Sequence, residues 1–319
     1  MRIVVLDSKT LDPGDISWDR MRELGTLERY DRTPKELVIS RIGDAEIVFT
    51  NKTVIDETVL DACKKIKWIG VFGTGYNVVD AEGCKKRGIL LANVPDYSTK
   101  AVAQHAFALL LEIACRVGEH SEAVSKGEWI KSADFCFCNN RLIELYEKTL
   151  GIIGFGNTGK AVAEIAKAIG MKVIVYTRHP DLSYETENLR FVSFDELIAN
   201  ADVISLHCPL TNETRAMIDK ACIDKMKNGV ILINTARGPI LNEVDVREAL
   251  ECGKIYALGA DVVSVEPMTE DNPLLNAKNA IITPHIAWAP KETRERLMRV
   301  CVENLKSFLD GNPQNIVNL

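Results

Sequence analysis

Short apolar runs alternate with amphipathic segments along the whole chain. Such alternation is typical of βα units that build a parallel sheet. Within residues 1–95 the pattern predicts strands over 2–7, 46–50, 68–72 and 89–93, and helices over 18–24, 34–42, 56–65 and 81–87. Together these elements predict a small doubly wound domain.

The pattern changes after residue 96. Residues 101–117 are apolar on nearly every face, which predicts a helix that is buried within the chain or packed on another subunit. Residues 118–148 are more polar and form an excursion before a second series of strands, predicted over 150–155, 171–176, 203–207, 230–234, 257–261 and 280–282, and a last helix over 291–309. The predicted fold class is α/β, with two doubly wound parallel-sheet domains.

Two hydroxyl side chains stand where helices are expected to begin. Thr33 and Ser193 each precede a glutamate by three positions, at Glu36 and Glu196. This is the spacing of a capping box, in which the hydroxyl accepts a hydrogen bond from the backbone of the third helical residue. We therefore expect both residues to be N-caps.

Composition narrows the classes of partner. The chain has 39 Lys and Arg against 45 Asp and Glu, a formal charge of −6, which argues against nucleic acid or an anionic membrane as the main ligand. No apolar run reaches the ~18 to 20 residues of a membrane span, and Asp7 ends the first apolar run too early for a signal peptide. The nine scattered cysteines fit reduced thiols and lack metal-ligand spacing. We expect a cytoplasmic protein without a metal site.

Gly154, Gly156 and Gly159 form the pattern G-x-G-x-x-G between an apolar strand and a predicted helix over 160–169. In this context the first glycine permits a tight turn, the second lets the backbone approach a pyrophosphate and the third allows close packing of helix on strand. The helix N-terminus adds N–H groups that favour an anion. We interpret the segment as a dinucleotide-binding loop rather than a purely structural turn.

The residues after the next strand bear on the choice of dinucleotide. An acidic side chain there binds the ribose 2′-hydroxyl of NAD, whereas an arginine accommodates the 2′-phosphate of NADP. Here Thr177 and Arg178 follow the strand, and the first carboxylate comes only at Asp181. The sequence therefore favours NADP, with NAD as the alternative if Arg178 is simply solvated.

Three charged side chains follow three different predicted strands: Arg237, Glu266 and His285. Open α/β sheets bind ligands at the carboxyl ends of their strands. An arginine suits a substrate carboxylate, and a histidine beside a carboxylate is a common proton donor. Taken alone, Arg237 fits a structural salt bridge and His285 an ordinary structural histidine. Together the three predict a catalytic site.

Five motifs resemble those of the D-isomer-specific 2-hydroxyacid dehydrogenases in order and spacing, and the resemblance covers nearly the whole chain. They are residues 154–159, His207-Cys208-Pro209-Leu210, residues 234–238, residues 261–267 and Pro284-His285-Ile286-Ala287-Trp288. The resemblance implies a flavodoxin-like substrate domain of residues 1–97 and 289–319, a Rossmann coenzyme domain of residues 98–288 inserted into it, and a homodimer. Within the family, residues 127–137 and the segment His285-Ile286-Ala287-Trp288 resemble glycerate dehydrogenases, also called hydroxypyruvate or glyoxylate reductases.

The resemblance also implies roles for single residues. Arg237 binds a 2-oxo acid, His285 protonates its carbonyl oxygen and Glu266 keeps His285 protonated. The backbone of a glycine loop binds the substrate carboxylate, and Asp261 holds the nicotinamide carboxamide. The substrate loop is Gly73, Thr74 and Gly75, with Asn51 as a neighbour. The other residues expected near the cofactor are Thr99, Phe155, Asn157, Thr158, His207, Cys208, Pro209, Thr235, Ala236 and again His285.

The expected reaction is hydride transfer between a nicotinamide cofactor and C2 of a short 2-oxo or D-2-hydroxy acid. Hydroxypyruvate and glyoxylate are favoured, and a D-lactate-type or other 2-oxo acid reductase stays open because a few pocket side chains decide that preference. Formate dehydrogenases of this fold carry glutamine in place of Glu266, which disfavours formate oxidation. A dinucleotide-sensing co-repressor of the same family is the non-enzymatic alternative.

Overall fold

The computed structural model describes all 319 residues. The chain divides into two units, because its first and last segments pack on each other and the middle segment forms a unit of its own. We call Met1–Ser98 with Trp288–Leu319 the smaller unit and Thr99–Ala287 the larger unit. The domain boundaries expected from the sequence each lie one residue from these limits.

Twelve strands and eleven α-helices follow one another along the chain. The strands are β1 (Arg2–Val5), β2 (Thr26–Arg29), β3 (Ile47–Thr50), β4 (Trp68–Val71), β5 (Leu90–Ala92), β6 (Thr149–Ile153), β7 (Lys172–Tyr176), β8 (Leu189–Phe191), β9 (Val203–Leu206), β10 (Val230–Asn234), β11 (Ile255–Ala260) and β12 (Ala280–Ile282). The helices are α1 (Asp19–Arg22), α2 (Val38–Ile42), α3 (Glu57–Ala62), α4 (Ala81–Lys86), α5 (Thr99–Cys115), α6 (Val117–Ser125), α7 (Asn157–Ala168), α8 (Phe194–Asn200), α9 (Lys220–Lys225), α10 (Glu243–Glu251) and α11 (Lys291–Leu309). No single helix is long and apolar enough to cross a membrane, although α5 and α6, bent by 56°, reach that length and composition as a pair.

The smaller unit is a five-stranded parallel sheet in the order β2-β1-β3-β4-β5. This is the flavodoxin-like order. Side chains alternate between the two faces of β1, so that Val4 and Leu6 join a core cluster with α2, α3 and α4, while Ile3 and Val5 join one with α1 and α11. Both faces are covered, which explains why these strands are uninterrupted apolar runs.

The larger unit is a seven-stranded parallel sheet in the order β12-β11-β10-β9-β6-β7-β8. Counted from β6, strands one to six follow the Rossmann order 3-2-1-4-5-6, and β12 extends it. Helices α5 and α7 cover one face, and α8, α9 and α10 cover the other. Two doubly wound α/β units, flavodoxin-like and Rossmann, confirm the predicted fold class.

Several local predictions were wrong, mostly at sheet edges. Strands β2 and β8 were not predicted, and neither was α6, most of which lies inside the more polar segment of residues 118–148. Helix α5 ends at Cys115, two residues early, because Arg116 adopts a left-handed backbone with φ of +52°.

The two predicted helix caps have different outcomes. The Ser193 hydroxyl accepts from Glu196 N at 3.2 Å and caps α8, as expected. Thr33 caps nothing, because its hydroxyl donates to the Leu6 carbonyl and accepts from Arg41. The segment that follows it is a short 3₁₀ turn, Lys35–Leu37, that leads into α2.

Candidate active site

The carboxyl edge of the larger unit's sheet collects most of the predicted site residues. The parallel register places Ile153, Leu206, Asn234, Ala260 and Ile282 in one row across five neighbouring strands. The loops that follow this row carry the glycine loop, the His207–Pro209 segment, Thr235–Arg237, Asp261–Glu266 and Thr283–His285. Five segments far apart in the sequence therefore meet at the edge where such sheets bind ligands.

The glycine loop fits a dinucleotide. Gly154 has a φ of +96°, and a Cβ there would lie 2.6 Å from the Cys208 backbone nitrogen. A Cβ on Gly159 would lie 2.2 Å from the Gly154 carbonyl oxygen, so helix and turn touch at this point. A Cβ on Gly156 would meet nothing within 4 Å, which leaves open space above the first turn of α7. That turn presents backbone N–H groups that favour a bound pyrophosphate.

Thr235 supplies a second indication that this edge receives a ligand. Its hydroxyl is buried and makes no hydrogen bond within the chain. The turn around it is fixed by Asn234, whose side chain accepts from Ala236 N at 3.0 Å and donates to the Arg237 carbonyl at 3.0 Å. A buried hydroxyl without a partner is costly unless a ligand satisfies it. The residues therefore fit a bound nicotinamide dinucleotide.

The segment after β9 contributes uncharged groups. Burial lowers the pKa of His207 to about 4, so its imidazole is neutral at pH 7, and its Nε2 lies 2.8 Å from the Ser205 hydroxyl. Burial also raises the pKa of the Cys208 thiol. Pro209 is exposed, and its carbonyl accepts from the Thr214 hydroxyl at 2.7 Å. Neither His207 nor Cys208 brings a charge to the site at neutral pH.

The remaining residues expected near the cofactor lie on α5, on the turn after β6 and at the start of α7. Thr99 is the first residue of α5, and Asn157 and Thr158 begin α7. Phe155 packs edge-on against Tyr184 and Phe191. The ring of Phe155 is thus part of the packing beneath β7 and β8.

Thr177 and Arg178 follow β7 directly. The Arg178 guanidinium is exposed and donates to the Glu213 carboxylate at 3.3 Å. The pair is on the surface, where such a contact contributes little stability. Arg178 therefore has a carboxylate partner, which sequence reasoning did not identify, and the contact is weak enough to be exchanged for another anion.

His285 and Glu266 form a close pair. The His285 Nδ1 lies 2.6 Å from the Glu266 Oε2, and the Glu266 Oε1 accepts from Val263 N at 3.2 Å. An ionised carboxylate only accepts, so Nδ1 carries the proton and Nε2 is the atom left to exchange one with a substrate. His285 holds this position with a left-handed backbone, φ +54°. The structure thus brings together the acid and the carboxylate that the sequence paired.

Asp261 holds the His285 loop in that left-handed conformation. It is buried, its carboxylate accepts from Ile286 N at 2.9 Å and Ala287 N at 2.8 Å, and its carbonyl accepts from His285 N at 2.8 Å. The Thr283 hydroxyl donates to the same carboxylate at 2.6 Å. Asp261 is therefore bonded to the backbone of His285, Ile286 and Ala287 and to the Thr283 side chain, and its expected role toward a carboxamide stays a prediction.

Arg237 lies in the loop next to the acid pair. Its side chain is exposed, and its Nη1 donates to the Ala236 carbonyl at 2.7 Å. The following residue must be glycine, because a Cβ on Gly238 would lie 1.9 Å from the Val263 carbonyl carbon. The loop that carries Arg237 and the loop that carries Glu266 are therefore in direct backbone contact.

The smaller unit holds the residues expected to bind the substrate carboxylate. Asn51 is buried, with its side-chain amide donating to the Thr10 hydroxyl at 2.8 Å. In the predicted substrate loop, residues 73–75, Gly73 N donates to the Val71 carbonyl at 2.8 Å. This N–H is therefore already used, whereas the sequence predicted that it would bind the substrate carboxylate. The N–H groups of Thr74 and Gly75 make no hydrogen bond and stay available. Of the three backbone N–H groups predicted to bind the substrate carboxylate, those of Thr74 and Gly75 therefore stay candidates.

Sequence reasoning missed residues that fix the site from a distance. His105 on α5 places Nε2 2.9 Å from the Thr283 hydroxyl and so supports Asp261. Glu243 on α10 binds the loop that precedes Glu266. Asn234 offered a signal, since a buried amide at a strand end often anchors a turn. His105 and Glu243 offered none, because their partners are distant in sequence.

Comparison with known proteins agrees with this geometry. Residues 107–287 match the family described as D-isomer specific 2-hydroxyacid dehydrogenase, NAD binding domain. The chain is 52% identical to the hydroxypyruvate reductase of Blautia hydrogenotrophica over 100% of both chains. It is 36% identical to the glycerate dehydrogenase of Methylorubrum extorquens over 99% of this chain and 98% of that protein. The solved D-lactate dehydrogenase of Aquifex aeolicus, complexed with NAD and lactic acid, is 30% identical with a TM-score of 0.84, covering 100% of this chain and 99% of that one.

A Rossmann unit with a glycine loop, and a histidine–glutamate pair beside an arginine at its strand ends, define a nicotinamide-dependent oxidoreductase. The chain belongs to the D-isomer specific 2-hydroxyacid dehydrogenase family. It is an enzyme that acts on the CH–OH group of 2-hydroxy acids and uses a nicotinamide cofactor.

Proposed function

We propose that this enzyme reduces short 2-oxo acids, with hydroxypyruvate and glyoxylate as its main substrates. The observation that carries the proposal is the 2.6 Å contact between His285 Nδ1 and Glu266 Oε2, since reduction of a carbonyl needs a proton donor and formate oxidation does not. The likeness to a hydroxypyruvate reductase and to a glycerate dehydrogenase supports this choice of substrates.

A bound reduced nicotinamide supplies the hydride that is added to C2 of the substrate. His285 donates the Nε2 proton to the carbonyl oxygen as that oxygen becomes negative. Glu266 holds the Nδ1 proton and stabilises the charged imidazolium until transfer. The exposed Arg237 guanidinium binds the oxo acid and offsets its negative charge. In the reverse direction His285 accepts the proton from the hydroxyl group.

NADP is the proposed cofactor form, with NAD as the alternative. Thr177 brings no negative charge to the end of β7, and Arg178 is an exposed cation there. A 2′-phosphate carries more charge than the Glu213 carboxylate and suits a guanidinium better, so it would displace that weak partner. Glu213 weakens the preference for NADP, because its carboxylate competes with the 2′-phosphate for the Arg178 guanidinium.

Initial rates with hydroxypyruvate, measured side by side with NADPH and NADH, test both parts. We expect turnover with both cofactors and a higher kcat/KM with NADPH. The variant Arg178→Ala should lower kcat/KM for NADPH about tenfold and leave that for NADH nearly unchanged. Faster turnover with NADH would refute the cofactor preference alone. Absence of turnover with hydroxypyruvate and glyoxylate would refute the substrate proposal.

A homodimer is the proposed assembly. The segment after α6 exposes large apolar side chains on the larger unit, with Ile130 90%, Phe135 88% and Trp129 52% exposed. Monomeric proteins rarely leave such side chains clustered in solvent. A second copy of this chain, through a self-complementary contact, is the proposed occupant. Size-exclusion chromatography with light scattering should report twice the chain mass, and one chain mass would refute the dimer.

A further inference from the structure

Glu243 is a buried carboxylate without a cation. It is the first residue of α10 and only 7% exposed, and Asn242, not Glu243, caps the helix through Asp245 N. No lysine, arginine or histidine pairs with it. A buried charge of this kind is costly unless several donors surround it.

Neutral donors from the segment between β11 and β12 satisfy that charge. The Glu243 Oε1 accepts from Ser264 N at 2.6 Å, and Oε2 accepts from the Ser264 hydroxyl at 2.5 Å and from Asn272 Nδ2 at 2.9 Å. Both bonds to Ser264 fix a residue whose own side chain is otherwise exposed. Glu243 therefore holds the segment between β11 and β12 at two residues, Ser264 and Asn272, and it binds Ser264 through both backbone and side chain.

Ser264 stands two residues before Glu266, within the loop that carries the acid pair. The same loop is held from its other side, because Val263 packs on Gly238 and Val263 N donates to Glu266. A shift of Ser264 would move Glu266 and lengthen its 2.6 Å contact with His285. The two partners of that contact sit on separate loops, one fixed by Asp261 and the other by Glu243.

We propose that Glu243 is a positioning residue for proton transfer, which acts by holding the Ser264–Glu266 loop so that Glu266 stays on His285. This inference rests on the proposed role of His285 as the proton donor. Because the Glu243 side chain binds Ser264 and Asn272 and not the dinucleotide-binding loop of residues 154–159, its loss should lower kcat and leave the KM for the cofactor nearly unchanged.

Asn272 makes a charge-conserving test possible. In Glu243→Gln, the new Nε2 faces the Asn272 Nδ2, so two donors oppose each other. In the double variant Glu243→Gln/Asn272→Asp, the aspartate accepts from that Nε2 and can still accept from Leu274 N, which Asn272 Oδ1 binds at 2.9 Å. The control is Glu248→Gln, an exposed carboxylate of the same helix.

We expect Glu243→Gln to lower kcat about tenfold, with the KM for NADPH and NADH within about twofold. The double variant should recover most of the lost kcat, whereas Glu248→Gln should behave as the wild type. An unchanged kcat in Glu243→Gln would overturn the proposal. So would an equal loss in the double variant, because the restored hydrogen bond would then fail to restore the position of Glu266.

A second readout does not depend on the substrate. The short bond from His285 Nδ1 to Glu266 should give a downfield imidazole N–H proton in the NMR spectrum, absent from Glu266→Gln. That signal should weaken or vanish in Glu243→Gln and return in the double variant. If the wild type shows the signal but reduces no 2-oxo acid, the proposed function fails while the role of Glu243 is still decided by the variants.

Discussion

At the scale of single residues, proton transfer depends on His285. We expect His285→Ala to lower kcat by about 10²- to 10⁴-fold, because the variant has no group to protonate the carbonyl oxygen. Binding of NADPH or NADH, followed by quenching of tryptophan fluorescence, should change little, since the glycine loop is untouched. A variant that kept the wild-type kcat would remove His285 from the mechanism.

His207 gives the free energy of unfolding a pH dependence. Its pKa is about 4 in the folded protein and near 6.5 when unfolded. Between these values the unfolded chain binds more protons, so stability falls as the pH is lowered. Between pH 7 and pH 5 the wild type should lose about 2 kcal/mol that His207→Gln does not lose.

Urea unfolding of both proteins without cofactor, at pH 7 and pH 5, measures this difference. The comparison cancels the carboxylates that titrate in the same range, because both proteins carry them. Equal losses in the two proteins would show that His207 is as easily protonated in the folded state as in the unfolded one.

The reactive residues could be predicted from the sequence, but the hydrogen bonds that hold them in place could not. Arg237, Glu266 and His285 could be found because each follows a recognisable strand, and parallel strands end at one edge. The clamp by Asp261 and His105 could not be found, since it depends on a left-handed turn at His285 and on a helix more than 150 residues away. The use of Gly73 N within its own turn was equally invisible, because a sequence motif does not state where each N–H points.

At the scale of elements, the turn between β6 and α7 contains glycines with two different roles: Gly159 is needed for packing and Gly156 for cofactor binding. A Cβ on Gly156 meets open space, whereas a Cβ on Gly159 lies 2.2 Å from a backbone oxygen. We expect Gly156→Ala to keep the wild-type Tm and to weaken cofactor binding about tenfold or more, because the methyl group occupies the approach of the pyrophosphate.

Gly159→Ala is the matched comparison. It should lower the free energy of unfolding by about 1 to 3 kcal/mol, because helix α7 must move away from the turn. Thermal denaturation with and without cofactor, together with fluorescence titration, separates the two effects. A lowered Tm in Gly156→Ala, with cofactor affinity intact, would contradict the assignment of that open space to the dinucleotide.

The elements that escaped sequence prediction share a position. Strands β2 and β8 are the outer strands on one side of their sheets and each pairs with a single neighbour. Their sequences, Thr-Leu-Glu-Arg and Leu-Arg-Phe, are mixed because one edge of each is not covered by another strand. The central strands could be predicted since burial on both faces leaves only apolar side chains. Thr33 misled the prediction because a tertiary hydrogen bond to Leu6 outcompeted the local cap.

At the scale of the whole molecule, the exposed apolar segment of the larger unit leads to a prediction about assembly. Ile130→Asp combined with Phe135→Asp should yield a monomer, because both side chains are almost fully exposed and a charge at either would be desolvated in a subunit contact. Light scattering of the variant measures the mass. Ile39→Asp, on an exposed position of the smaller unit, is the control and should leave the assembly unchanged. A double variant that kept the wild-type mass would place the subunit contact elsewhere.

The smaller unit is built from two segments, Met1–Ser98 and Trp288–Leu319, which are synthesised before and after the larger unit. Helix α11 supplies Leu297, Cys301 and Leu305 to the same core as Ile3 and Trp68. A ribosome makes the N-terminal segment first and α11 last, so the contiguous larger unit is complete while that core still lacks one wall. Domains usually fold in the order in which they emerge. In this protein the smaller unit departs from that order, because its N-terminal segment is made before the larger unit and its core closes only once α11 has been made.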